Sequence, residues 1–121
     1  MDVTRLRVTI APLDDGSVVK VEGELGPSTS ADLDTVLRAT GAGSAGVLIL
    51  DLTNVTALDA GTLRVIHDIH GELAPGRKLC AVACGRARRA FELTRLDALI
   101  EVYNRLEDAV AAATGEPRPS M

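Results

Sequence analysis

Val47-Leu48-Ile49-Leu50 is the segment that most narrows what this chain can become. Four consecutive aliphatic side chains cannot alternate between core and water, so a strand built from them must be covered on both faces. That points to the middle of a sheet flanked by helices. The preceding segments read differently. Arg5 to Ala11 alternates Leu6, Val8 and Ile10 with Arg7 and Thr9, and Ser17 to Gly23 alternates Val19 and Val21 with Lys20 and Glu22. Both are half-buried strands, and the Pro12-Leu13-Asp14-Asp15-Gly16 turn between them predicts an antiparallel hairpin.

Helical spacing appears next. Ser28 or Thr29 can cap a helix, with Asp32 in a capping-box position, and Leu33, Val36 and Leu37 continue it to about Ala39, before the glycine-rich stretch from Gly41 to Gly46. A second helix is predicted from Thr62 to about Ala74, with Thr62, Val65, Ile66, Ile69 and Leu73 in its stripe and Pro75-Gly76 as its stop. A strand over Lys78 to Cys84, a helix over Ala87 to Leu96, a strand over Leu99 to Tyr103 and a helix over Leu106 to Ala113 complete the order β-β-α-β-α-β-α-β-α. The domain is expected over residues 1–114, followed by a disordered tail, 115–121.

The 121-residue chain is 46% hydrophobic, yet has one Phe, one Tyr and no Trp, so its core must be aliphatic. Its formal charge of −4 disfavours nucleic acid, which requires a clustered basic face. The stretch MDVTRLRVTI lacks the pattern of a secretion signal, and the apolar runs are short, which predicts a cytoplasmic protein without a membrane span. Cys80 and Cys84, placed on one strand, would stand roughly 13 Å apart. That is too far for a disulfide, so both are expected as free thiols.

Candidate chemistry is sparse. His67 and His70 have a spacing that could share a metal, but no further ligands accompany them, so no metal or cofactor is expected. Cys84-Gly85-Arg86 enters a helix as a phosphate-cradling nucleophile loop would, but the Cys-x5-Arg spacing fails by one because Ala90 occupies the arginine position. A buried, hydrophobe-like role for Cys84 is therefore expected over a thiol enzyme. Asp51 at a central strand end invites comparison with phosphoaspartate receivers, although the opening hairpin and the lack of an acidic pair oppose it. Arg86, Arg88 and Arg89 read as a solvated helix face, with an acidic partner or a phosphate as the alternative.

From Val47 through Asp51-Leu52-Thr53-Asn54-Val55-Thr56-Ala57-Leu58-Asp59-Ala60-Gly61-Thr62-Leu63 to Ile66, the chain resembles the signature of the STAS domain family of bacterial anti-sigma factor antagonists. Gly23-Glu24-Leu25, Ala87 to Asp97 and Tyr103 to Ala109 extend the resemblance in the family's order from Leu6 to Ala113. It implies an α/β fold with a mixed sheet of about five strands and four helices, mostly on one face. It also implies a non-enzymatic regulator of transcription that binds an anti-sigma factor with a kinase-like ATP-binding fold and so releases a sigma factor. The implied partner surface is Asp59, Ala60, Gly61, Thr62, Leu63, Arg64 and His67. The alternative is a scaffold module acting by self-association as a weak homodimer, and a thiol-dependent enzyme using Cys84 is a third reading.

In phosphorylatable members of that family, the loop has two hydroxyl residues after the Asp and then a glycine. Here Ala60 and Gly61 occupy the hydroxyl positions, and Thr62 occupies the glycine position. Gly26 replaces a frequent Asp, and Arg95 stands where glycine is frequent. Thr62 is the only hydroxyl from Ala57 to Leu63, which makes it either a displaced phosphoacceptor or a structural first-turn residue. Asp59 is expected either to cap the helix or to touch the partner.

Overall fold

A computed structural model describes residues 6–43, 46–73 and 77–114. Strands β1 (Arg7–Leu13) and β2 (Gly16–Leu25) form the antiparallel hairpin that the alternation predicts, with Ile10 opposite Val19 and Val8 opposite Val21. Helix α1 (Ser30–Gly43) leads to β3 (Val47–Leu58), and β3 to α2 (Ala60–Glu72). Then come β4 (Lys78–Val82), α3 (Gly85–Leu93), a 3-10 turn at Leu96–Ala98, β5 (Glu101–Tyr103) and α4 (Leu106–Thr114). The sheet order is β1-β2-β3-β4-β5, antiparallel only between β1 and β2. The all-apolar run lies at its centre, as continuous burial requires.

The period of two in β3 divides the core into layers. Leu48, Leu50 and Leu52 face α1, α2 and α3, packing with Leu33, Leu37, Ile66, Ile69 and Phe91. Val47 and Ile49 face the other way, against α4 through Ala109 and Leu106. Three helices thus cover one face and one covers the opposite face. Phe91 is the single large aromatic in the core and is fully buried, so truncation to Ala should cost about 3–5 kcal/mol. Tight packing also joins the hairpin turn to the start of β3: the Val47 N–H donates to the Asp15 carbonyl at 3.0 Å. Gly46 beside it has φ +87, where a Cβ would lie 2.3 Å from that carbonyl oxygen, so this position requires glycine.

Several boundaries differ from the sequence expectation. β3 continues past Leu50 to Leu58, because β2 extends to Leu25 and the two strands stay paired there through two register shifts. β4 pairs with β3 only as far as Asp51 opposite Val82. The strand predicted to include Cys84 therefore ends before it, and Cys84 becomes the residue that caps α3. α1 runs beyond Ala39 to Gly43, and Leu37 on its inner face lies fully buried in the core layer shared with α2. The expected tail 115–121, the Pro75-Gly76 stop and the first residue of the expected first strand, Arg5, lie outside the described residues.

Candidate functional site

Because β3 runs unbroken to Leu58, Asp59 begins α2 directly. Its backbone is extended, φ −104 and ψ 174, as an N-cap must be. The Asp59 N–H donates to the Leu25 carbonyl at 3.1 Å, tying the cap to the end of β2. Its carboxylate Oδ1 accepts both the Thr62 N–H and the Thr62 hydroxyl, each at 2.8 Å. Capping is thus the observed geometry of Asp59, satisfying one of the helix's orphan donors.

The predicted surface residues divide in two. Ala60, Gly61, Arg64 and His67 are exposed, and Asp59 is half-buried. Thr62 has no exposed surface, and its hydroxyl donates to Asp59. Leu63 was expected on the exposed face and is instead 8% exposed, in the core cluster that also holds Leu96 of the 3-10 turn after α3. Between them lies a shallow groove of about 290 Å³, lined by Ala60, Leu63, Arg64, His67, Thr94 and Leu96. Thr94 and Leu96 were not singled out in the sequence, where they read only as the end of a helix.

Two further hollows adjoin this tip. One, of about 280 Å³, lies between the loop from Gly26 to Thr29 and the end of β3. The loop is closed by Thr29, whose hydroxyl accepts the Gly26 N–H at 2.9 Å and donates to the Glu24 carbonyl at 2.8 Å. Its oxygen is turned back to the loop, whereas the sequence offered Ser28 or Thr29 as the cap of α1. The other hollow, of about 230 Å³, separates Val55 to Leu58 from Arg86 and Ala87 at the start of α3. The exposed end of the sheet therefore presents the α2 tip with a concavity on each side.

Other candidates resolve into local structure. Asp51 is 2% exposed, and its Oδ1 accepts the Thr53 N–H at 3.0 Å and the Thr53 hydroxyl at 2.5 Å. His67 is exposed beside Asp68, at 3.5 Å, and His70 is half-buried. Among the described residues no three His, Cys, Asp or Glu side chains gather as a metal site, and no helix is long and apolar enough to cross a membrane. The two cysteines are free, as expected. Cys80 is the buried one, and burial, with a smaller contribution from Glu101 against the opposing Lys78, pushes its thiol up to about 11. Cys84 is exposed, which corrects its expected burial: it lies past the end of β4 and stands at the N-cap of α3. Among the described residues its Sγ has no hydrogen-bonded base, the usual means of activating a nucleophile.

The chain matches the STAS domain over residues 8–109. It belongs to the STAS domain family. A curated relative, the anti-sigma-F factor antagonist RsfB of Mycobacterium tuberculosis, is 26% identical over 111 residues, covering 91% of both chains. The crystal structure of an anti-sigma factor antagonist from Mycobacterium paratuberculosis superposes with a TM-score of 0.86 at 31% identity, over 91% of this chain and 95% of that one. That of a Thermotoga maritima protein described as a putative anti-sigma factor antagonist gives 0.75 at 20% identity, over 88% and 94%, a likeness of fold. The exposed first-turn positions of this STAS domain's α2, Ala60 and Gly61, carry no hydroxyl.

Proposed function

We propose that this STAS protein is a non-enzymatic anti-sigma factor antagonist that binds its partner through the tip of α2 without a serine phosphorylation switch. The observation that carries the reading is the construction of that tip. The exposed first-turn positions, Ala60 and Gly61, carry no hydroxyl, and the one hydroxyl nearby, on Thr62, is buried against Asp59. The names of the relatives support the role, and the loop-and-groove relief around Asp59 supplies a surface shaped for a protein. The partner is an anti-sigma factor with a kinase-like ATP-binding fold. Docking contacts come from Ala60, Gly61, Arg64 and His67, with Leu63 at the groove floor and Asp59 and Thr62 holding the turn in shape. The domain works in the cytoplasm, and control comes from its abundance or from the partner rather than from modification of this turn.

The test is capture of interacting proteins from the source cytoplasm, followed by affinity measurement with the purified partner. Arg64→Glu and His67→Glu are expected to weaken binding about tenfold each, a change of about 1.4 kcal/mol. Folding should be unaffected, since both side chains are exposed and the Arg64–Asp68 pair at 3.6 Å is a surface contact. Full affinity in both variants would overturn the proposal.

A further inference from the structure

α3 and the residue that follows its cap concentrate positive charge in a protein of net charge −4. From Gly85 to Arg95 there are four arginines, Arg86, Arg88, Arg89 and Arg95, against a single acidic residue, Glu92. Arg88 is occupied: it donates to the Asn104 side chain at 2.9 Å and lies 3.5 Å from Glu92. Arg86, Arg89 and Arg95 are exposed and have no ion pair or side-chain hydrogen bond among the described residues. At 100° per residue, Arg86, Arg89 and Leu93 fall within about 60° of one another, on the side of α3 away from buried Ala87 and Phe91. Leu93 is 71% exposed, the most of any large hydrophobic described. Arg95 adjoins this strip in a left-handed conformation, φ 64, that an arginine adopts only at a cost.

Unpaired arginines flanking one exposed leucine define the chemistry of what covers them: carboxylates around an apolar side chain. We infer that this strip docks an acidic amphipathic helix of a partner protein. The strip starts beside the hollow at Arg86 and Ala87 and ends beside the groove at Thr94 and Leu96, so it prolongs the surface proposed above and rests on the same premise of protein binding. A second copy of this chain is a poor occupant. Among the described residues the other exposed large hydrophobics, Ile10 and Leu99, lie outside its helices. Its helical carboxylates are largely paired, Asp34 and Glu72 with Arg38, Asp68 with Arg64, and Glu107 with Arg105. A nucleic acid would leave Leu93 against phosphates with no contact to make.

The experiment is an amide-shift titration of the full chain with a blocked synthetic peptide carrying leucine and glutamate at helical spacing, repeated with duplex DNA and with phosphatidylserine vesicles. Shifts confined to residues 86–95 are expected with the peptide alone, weakening as salt rises. Arg86→Glu combined with Arg89→Glu should weaken the peptide about tenfold or more, and Leu93→Ser several-fold, with unchanged melting temperatures. Arg64→Glu and His67→Glu should leave this titration unaltered, which separates failure of the α3 strip from failure of the α2 tip. Undiminished peptide binding in either α3 variant, shifts elsewhere, or equal binding to DNA or vesicles would overturn the inference.

Discussion

Asp59 Oδ1 accepts two hydrogen bonds from the same residue, the backbone N–H and the side-chain hydroxyl of Thr62, both at 2.8 Å. One oxygen thereby sets where α2 begins and which way the Thr62 side chain turns, and the Asp59 N–H to Leu25 carbonyl bond carries that setting to the sheet. Asp59→Ala should destabilise the domain by about 1–2 kcal/mol, the usual range for losing an N-cap acceptor plus the partner of a buried hydroxyl. Asp59→Asn keeps an oxygen at the same position and should cost less than half as much. Urea denaturation of both variants checks this, and equal losses would show that charge rather than the cap geometry matters.

Arg95 makes a second stability prediction. It follows Thr94, the cap of α3, and has φ 64, the left-handed conformation that glycine adopts freely at this place in a helix end. Arg95→Gly should raise stability by about 0.5–1 kcal/mol, visible as a melting temperature a few degrees higher. The same substitution removes one of the unpaired cations from the α3 strip, so the stabler variant should bind the acidic peptide less well. A stabler variant with unchanged peptide affinity would remove Arg95 from that surface.

The cysteines predict a kinetic and a pH-dependent difference. Cys84 is exposed and Cys80 buried, so a thiol reagent should modify one equivalent rapidly in the native state and the second only on unfolding. Burial raises Cys80 from 9.0 to about 11. A raised thiol pKa means that the folded state holds its proton more tightly than the unfolded state. The associated stability is therefore intact below about 9 and is lost as the pH rises to about 11, by about 2–3 kcal/mol. Comparing denaturation midpoints of native protein and Cys80→Ala across that window isolates the contribution; parallel profiles would refute it.

These particulars show which parts of the molecule are legible in its residues. Alternation in Val19 to Val21 and the unbroken run at Val47 to Leu50 agree with the observed burial, whereas Ile10, read as an inward-facing residue of the first strand, is 51% exposed on the edge strand β1. The second half of β3 was not legible as strand, because Thr53, Asn54, Thr56 and Ala57 are exposed and no apolar pattern marks them. Their pairing partner, the end of β2, is distant in sequence. Leu63 and Cys84 failed for the same kind of reason: the first joins a core cluster that includes Leu96, more than thirty positions later, and the second lies past Val82, where the pairing of β4 with β3 ends. At the site, the place of Thr62 in the helical stripe already pointed to a structural first-turn residue, whereas its pairing with Asp59 Oδ1 required knowing where the helix starts.

The burial of Thr62 leads to the modification prediction. Gly61 is exposed, has an ordinary backbone conformation, and a Cβ added there would meet nothing nearer than the Asp59 carboxylate at 3.7 Å. Gly61→Ser is therefore expected to fold with native stability and to present its hydroxyl to solvent. Thr62, one position on, is rotated by about 100° toward the core, and phosphorylating it would require breaking its hydroxyl's bond to Asp59 and exposing a fully buried side chain. Incubated with the cognate kinase and ATP, the native protein should show no mass change, while Gly61→Ser should gain one phosphoryl group. The new phosphate would gain from the unpaired N–H groups at the amino end of α2, but it would stand beside the Asp59 carboxylate and add about two negative charges to the docking tip. Phosphorylated Gly61→Ser should consequently release the partner that its unmodified form binds. A phosphoryl group on the native protein that disappears in Thr62→Ala would instead identify Thr62 as the acceptor and refute constitutive binding; modified Gly61→Ser that keeps full affinity would remove the α2 tip from the interface.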